Sequence, residues 1–206
     1  MGTPRMAKRG RPTADERARR LTRILDAAVD SFAVNGFAGS SLDEIAASAG
    51  VTKRTIYTDY GDKAAVFDAA VEREHDRIRA SAIEGSSLQD VAAELVFVLH
   101  SDAAIALHRS VIAEAPRFPE LARRFYEAGP GHSIALLARY LPDDAPEAPT
   151  DPAAAASVAP ATARAEALYA LLLGERHRRR LLALDPAPSP AVAAAHAASC
   201  LPLVIP

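Results

Sequence analysis

The stretch VTKRTIYTDYGDK, Val51 to Lys63, crowds Lys53 and Arg54, three threonines and two tyrosines into thirteen residues. Threonine before a short helical run is an N-cap, so Thr52 starts a helix that closes near Tyr60-Gly61. At about 100° per residue, Lys53, Arg54, Tyr57 and Thr58 fall within an arc of about 140°. Ile56 points the other way, toward a core. The segment therefore reads as a helix pinned by one apolar residue, with a cationic, hydroxyl-rich face turned outward.

The residues before it supply the partner helix. In SSLDEIAASAG, Ser41 and Glu44 form a capping box, Leu42, Ile45, Ala46 and Ala49 share one face, and Gly50 ends the helix after about two turns. The spacing predicts a helix-turn-helix over about residues 41–60: Ala46 is small where two helices cross, and Gly50 occupies a turn that needs positive φ. Val51 and Ile56 anchor the second helix to the first. A generic helical hairpin would explain the glycine but not the polar second helix. Farther upstream, TADERARRLTRILDAAVDSFAVNGF spaces Leu21, Ile24, Leu25, Ala28, Val29 and Phe32 as one apolar stripe. Thr13 and Glu16 cap its start, and Asn35-Gly36 is expected to stop it.

Downstream the pattern stays helical. Asp62 opens a helix expected to bury Ala65, Val66, Ala69, Ala70 and Ile78. SLQDVAAELVFVLH and DAAIALHRSVIAEA read as two more, and Pro116 and Pro119 bracket a turn before ELARRFYEAG. Gly129-Pro130-Gly131 is expected to break or kink the chain before HSIALLARYL. PDDAPEAPTDP (142–152) reads as a loop. A long helix over about 153–184, kinked or started at Pro160, and a last one over 191–201 complete the chain. No alternating strand pattern or internal repeat appears. The fold class is all-α: a basic arm (1–12), a three-helix domain carrying the helix-turn-helix (13–61), and a helical C-terminal domain (62–206).

Composition narrows the function. The 206 residues carry a net charge of −2. Residues 1–63 hold 11 Lys+Arg against 8 Asp+Glu, and residues 64–206 hold 13 against 18, so a polyanion would meet only the front. Half the chain is apolar, much of it alanine; six Phe, five Tyr and no Trp predict a core light on rings. One cysteine excludes an internal disulfide, and no apolar run reaches the roughly 18 residues of a membrane span. The basic N-terminus leads into no apolar h-region, so no signal peptide is expected and the location is expected to be cytoplasmic.

LDEIAASAGVTKRTIYTDYGDKAAVF, extended upstream through ILDAAVDSFAVNGFAGSS, resembles the DNA-binding core of the tetracycline-repressor (TetR) family over about residues 17–77. The resemblance implies a homodimer with two DNA-binding heads on a helical, ligand-binding body. It also implies that Lys53, Arg54, Thr55, Tyr57, Thr58 and Lys63 face DNA. Chemistry agrees: Arg54 or Lys53 can pair with guanine O6 and N7, and threonine methyls suit thymine methyls. Tyr57, Ser41 and Lys63 are better placed for phosphates, and Thr52 and Thr55 lie at the positive end of the helix. In the arm KRGRP, Arg9 and Arg11 can follow a narrow minor groove, or else belong to a disordered basic tail. One residue departs from the family: Asp59 stands where His, Tyr or Arg is usual, and is expected to pair with Arg54 or Lys63. VIAEAPRFPELARRFYEAGP (111–130) resembles the C-terminal domain of a subset of the family, with Pro116, Phe118, Pro119 and Leu121 building a turn.

The six histidines are scattered, with no metal-binding motif, so neither a metal nor a cofactor is expected. Cys200 reads as a buried inert thiol. ERHRRR (175–180) reads as a solvated or dimer-rim face of a long helix rather than a second nucleic-acid patch. No phosphate loop, nucleophile elbow or paired catalytic carboxylates appear, which argues against an enzyme. The sequence thus predicts a regulator, a repressor released from a near-palindromic operator by an unidentified small molecule. The competing reading is a non-allosteric DNA-binding or scaffold protein whose helical body binds another protein.

Overall fold

The computed structural model describes residues 13–81, 86–141 and 161–204, which are helical with no strand among them. Helix α1 (Ala14–Gly39) begins at a complete capping box: Thr13 N–H donates to Glu16 Oε2 at 2.8 Å, and Glu16 N–H to Thr13 Oγ1 at 3.2 Å. Its buried stripe is Ile24, Leu25, Ala27, Ala28, Val29 and Phe32; Leu21 is only half-buried. The helix breaks at Gly36, where the sequence predicts its end, then makes one further turn that buries Phe37. Helix α2 (Leu42–Ala49) has its own complete capping box at Ser41 and Glu44, and buries all four predicted apolar residues. Gly50 ends it in the left-handed region at φ 65°, while Val51 N–H returns to Ala46 O at 2.9 Å, as a Schellman-type stop requires. Helix α3 (Lys53–Asp59) follows, its first turn capped by the Thr52 side chain.

Helix α4 (Lys63–Ser81) joins this head to the rest. It buries Val66, Ala70 and Ile78 as predicted, leaves Ala65 and Ala69 half-buried, and adds Phe67, Val71 and His75 to the core. Then come α5 (Leu88–Leu99), α6 (Asp102–Glu114) and α7 (Pro119–Tyr126). The Gly-Pro-Gly segment does not interrupt the chain. Glu127–Gly131 forms a π-helical turn that runs directly into α8 (His132–Ala138). The wider turn accommodates Pro130, which has no N–H to give and whose ring would strike an α-helical carbonyl. Gly129 is needed there for another reason: a Cβ on it would stand 3.1 Å from His75 Cε1. Helix α9 (Ala161–Leu181), broken at Gly174, and α10 (Pro190–Cys200) end the body. The predicted loop 142–152 and the expected helix start at 153–160 lie outside the described residues, as does the basic arm.

Two apolar clusters hold the fold. One joins α1, α2, α3 and the first half of α4 to Leu107, Val111 and Leu121 of α6 and α7. The other joins Ile78 to α5, α8, α9 and α10. The few aromatic rings are not spread thinly. Phe32, Phe37, Phe67, Phe118 and Phe125 touch in one chain at centroid separations of 5.3–6.5 Å, tying α1 to α4 and α7.

The ERHRRR segment departs from its expected solvated face. Arg178 and Arg179 are exposed, but His177 and Arg180 are buried. Arg180 Nε donates to His100 O at 2.9 Å and its Nη1 to Asp185 O at 2.7 Å, fastening the end of α9 to the α5–α6 corner. Arg109 of α6 caps the same end by donating to the carbonyls of Arg180 and Leu181, both at 2.8 Å.

Candidate nucleic-acid interface

Helix α3 is held by one side and open on the other. Ile56 is fully buried, whereas Lys53, Arg54, Tyr57 and Thr58 are exposed. Lys53 Nζ donates to Asp43 Oδ2 at 2.7 Å and lies 6.0 Å from the centroid of the Tyr57 ring. The hydrogen bond to Asp43 and the carboxylate's charge raise the Lys53 pKa above the ordinary lysine value. Thr58 Oγ1 donates to Arg54 O at 2.8 Å. Thr52 Oγ1 lies 2.9 Å from Thr55 Oγ1 and accepts from Thr55 N–H at 3.2 Å, so both hydroxyls sit at the helix start. Ser41 caps α2 with its side chain, at the start of the neighbouring helix. Thr52, Lys53, Arg54, Tyr57 and Thr58 therefore form one exposed surface on α3, which the Lys53–Asp43 bond joins to the first turn of α2, while Ser41 and Thr55 are half-buried. Arg9 and Arg11 lie outside the described residues.

Two residues behave differently from expectation. Asp59 pairs with neither Arg54 nor Lys63. Its carboxylate accepts from Arg20 at 3.1 and 3.4 Å and has Arg17 at 3.7 Å, leaving its side chain 5 % exposed. The helical wheel explains why: Asp59 lies about 60° from Ile56, on the inward side, where α1 passes. Lys63 also turns inward. Its Nζ donates to Phe37 O at 2.6 Å, Ser40 O at 2.8 Å and Ala38 O at 3.4 Å, and lies 4.6 Å from the Phe37 ring centroid. Burial lowers its pKa below the ordinary lysine value, an effect the Glu114 carboxylate opposes.

A cavity lies in the body between α4, α5, α6, α7 and α9. About 440 Å³ of atom-free space lies between these helices, the solvent at its open mouth included. Val71, Leu99, Leu107, Phe125, Pro130 and Leu173 form its apolar wall, with Tyr169 and three histidines, His75, His108 and His177, as its polar groups. Histidines scattered in sequence thus meet in space. His108 Nδ1 lies 2.9 Å from His177 Nε2, and the His100 ring packs edge-on against His177 at 5.1 Å. Burial lowers the pKa of all four, and that of His177 to about 3. No sequence motif signals this gathering, because its members come from α4, α6, α9 and the cap of α5. Among the described residues no His, Cys, Asp and Glu group is arranged to hold a metal ion. Cys200 is buried, its Sγ 3.6 Å from Leu171 O, and burial raises its pKa. No single described helix is long and apolar enough to cross a membrane.

Two short helices crossing at a left-handed glycine, the second cationic on its free side, define a helix-turn-helix DNA-binding regulator. Comparison with known proteins narrows the class. Residues 24–70 match the profile of bacterial regulatory proteins of the tetR family, and residues 86–204, more than half of the chain, match the C-terminal domain of AefR-like transcriptional repressors. The chain belongs to the TetR family of transcriptional regulators. It is 45 % identical to the HTH-type transcriptional repressor SCO4008 of Streptomyces coelicolor over 51 residues, 25 % of this chain and 27 % of the repressor. It is 38 % identical to the HTH-type transcriptional regulator SrpR of Pseudomonas putida over 66 residues, 32 % of this chain and 31 % of SrpR. The match thus spans under a third of either curated relative. Solved structures align over more. A TetR-family regulator from Mesorhizobium loti MAFF303099 has TM-score 0.66 and 26 % identity, covering 94 % of this chain and 98 % of that one. The flavonoid-responsive regulator FrrA has TM-score 0.62 and 26 % identity, covering 91 % and 96 %.

Proposed function

We propose that this regulator acts as a cytoplasmic homodimeric repressor, inserting α3 of each subunit into successive major grooves of a near-palindromic operator and leaving it when a small molecule fills the body cavity. The observation that carries the reading is the opposed burial on α3: Ile56 is sealed in the core while Arg54, Tyr57 and Thr58 stand free. Arg54 and Lys53 read base edges. Ser41, Thr52, Thr55, Tyr57 and Thr58 set register against phosphates and thymine methyls. Lys63 contributes by fixing the chain between α1 and α2, and Arg9 and Arg11 add a salt-sensitive contact. The chain carries no enzymatic role in this reading.

The dimer is supported by alanine-rich exposed faces. Ala163, Ala167 and Ala170 on α9, and Ala191, Ala195 and Ala198 on α10, are exposed beside Val192. Small side chains let helices of two subunits approach closely, as a four-helix interface needs. Coupling is supported by α4 and α6, which both line the cavity and both grip the head. A coupling free energy of about 1–3 kcal/mol would shift operator affinity by about 5–150-fold. FrrA, a structural relative, is flavonoid-responsive.

The test is selection of duplex DNA by the purified protein, repeated with Arg54→Ala and Tyr57→Ala. Arg54→Ala is expected to change the preferred site, and Tyr57→Ala to weaken all sites alike. A wild-type protein that enriches no sequence, or that stays monomeric at micromolar concentration in light scattering, would overturn the reading.

A further inference from the structure

The cap of α2 is complete without Asp43, because Ser41 and Glu44 exchange both hydrogen bonds of the capping box. Asp43 instead turns its carboxylate toward α3, where Lys53 Nζ donates to Oδ2 at 2.7 Å. Both side chains stand in solvent, Lys53 44 % and Asp43 69 % exposed. An exposed ion pair of this kind adds little to folding, so stability does not account for it. A carboxylate on a face that meets DNA would also repel phosphates. The acid therefore needs a reason that concerns the lysine it holds.

An ammonium on a flexible four-carbon stem is a point charge that any phosphate satisfies. An unheld Lys53 would thus tighten binding to every sequence alike. Asp43 takes one of its three N–H donors and offsets its charge, and the Tyr57 ring, one turn along α3, lies 6.0 Å from Nζ. Two donors remain, which match the O6 and N7 acceptors of guanine. Where DNA displaces water from this surface, the lower dielectric strengthens the hold of Asp43 on Lys53. We propose that Asp43 is a positioning residue for base reading. It holds the Lys53 ammonium away from the phosphates and over one guanine in each half-site, lowering affinity for DNA at large and sharpening the choice of base. This role rests on the entry of α3 into the major groove proposed above, and adds an acid to a reading set of cations and hydroxyls.

The experiment uses the full-length protein and the duplex that the wild type selects from a random pool. Copies of that duplex changed at one base pair each, and a scrambled duplex of equal length, complete the set. Affinity is measured by anisotropy across a range of salt. In Asp43→Ala the preference for guanine at one position of each half-site is expected to fall at least about fivefold. The scrambled duplex is expected to bind more tightly, with log affinity falling against log salt about 0.9 more steeply per subunit. Lys53→Ala is expected to lose the same preference without the steeper slope, and the double variant to lose no more. Asp43→Asn keeps the shape without the charge, and takes the place of Asp43→Ala should that variant not fold. A purely structural Asp43, seated at the positive end of α2, would lower the melting temperature and leave base preference alone. An unchanged preference in either variant overturns the proposal whatever the slope, as does a guanine preference that survives in Lys53→Ala. A wild type that selects no sequence removes the DNA-reading role and the positioning role together. A selective wild type whose Asp43→Ala variant chooses the same bases removes the positioning role alone.

Discussion

The Glu114 carboxylate accepts a 3.1 Å hydrogen bond from the backbone N–H of Ala38. Glu114 closes α6, whose Ala104, Leu107 and His108 line the cavity; Ala38 belongs to the turn between the break in α1 and the cap of α2. One side chain thus joins the helical body to the helix-turn-helix head. Glu114→Ala removes a charge-assisted bond worth about 1.5–3 kcal/mol. Its expected effects are a lower melting temperature and weaker dependence of operator affinity on effector. Undiminished coupling in a folded Glu114→Ala protein would show that the head is moved by another route.

Asp59 offers a choice between two effects. If it faced phosphates, Asp59→Asn would relieve repulsion and tighten DNA binding. Because it is paired with Arg20 and 5 % exposed, the expected result is instead a stability loss of about 1–3 kcal/mol in urea denaturation, below the about 3–5 kcal/mol of a fully buried pair. Affinity of the folded fraction for DNA should not improve.

Lys63 is tested through salt. Each phosphate that a lysine neutralises on duplex DNA adds about 0.9 to the steepness of log affinity against log salt. Lys63→Met is expected to weaken DNA binding with that slope unchanged, because its Nζ already serves the carbonyls of Phe37, Ala38 and Ser40. A slope shallower by nearly one unit per subunit would mean that the ammonium leaves those carbonyls for DNA.

The buried histidines set a pH dependence whose sign follows from linkage. In the unfolded chain each takes up a proton near about pH 6.5. In the folded chain burial delays uptake, for His177 to about pH 3. Below the unfolded value the unfolded state therefore binds more protons, and stability falls as pH drops, by up to about 1.4 kcal/mol per pH unit for each fully excluded histidine. Melting temperature is expected to fall from about pH 7 to about pH 5, and less steeply in His177→Leu. Parallel curves for the two proteins would assign the loss to other groups.

The sequence reveals what is decided locally. The capping boxes at Thr13/Glu16 and Ser41/Glu44 and the turn at Gly50 are set by residues three or four apart, and all appear as read. Pairings that span the chain are hidden. Arg20 meets Asp59 across 39 positions, Ala38 meets Glu114 across 76, and His108 meets His177 across 69. Of these, only Asp59 carries a usable local sign, its place beside Ile56 on the wheel. Lys63 reads as outward because its position matches a family's DNA-facing one, whereas its partners are carbonyls set free where α1 breaks at Gly36.

Lys63, Val66 and Phe67 lie beyond Gly61 in the chain, yet they close the same core as Phe32, Phe37 and Ile56. Scissors applied at that glycine would therefore leave a reader without its floor. Anyone grafting this head onto a foreign body must carry the first half of α4 along, and supply a carboxylate where Glu114 meets Ala38.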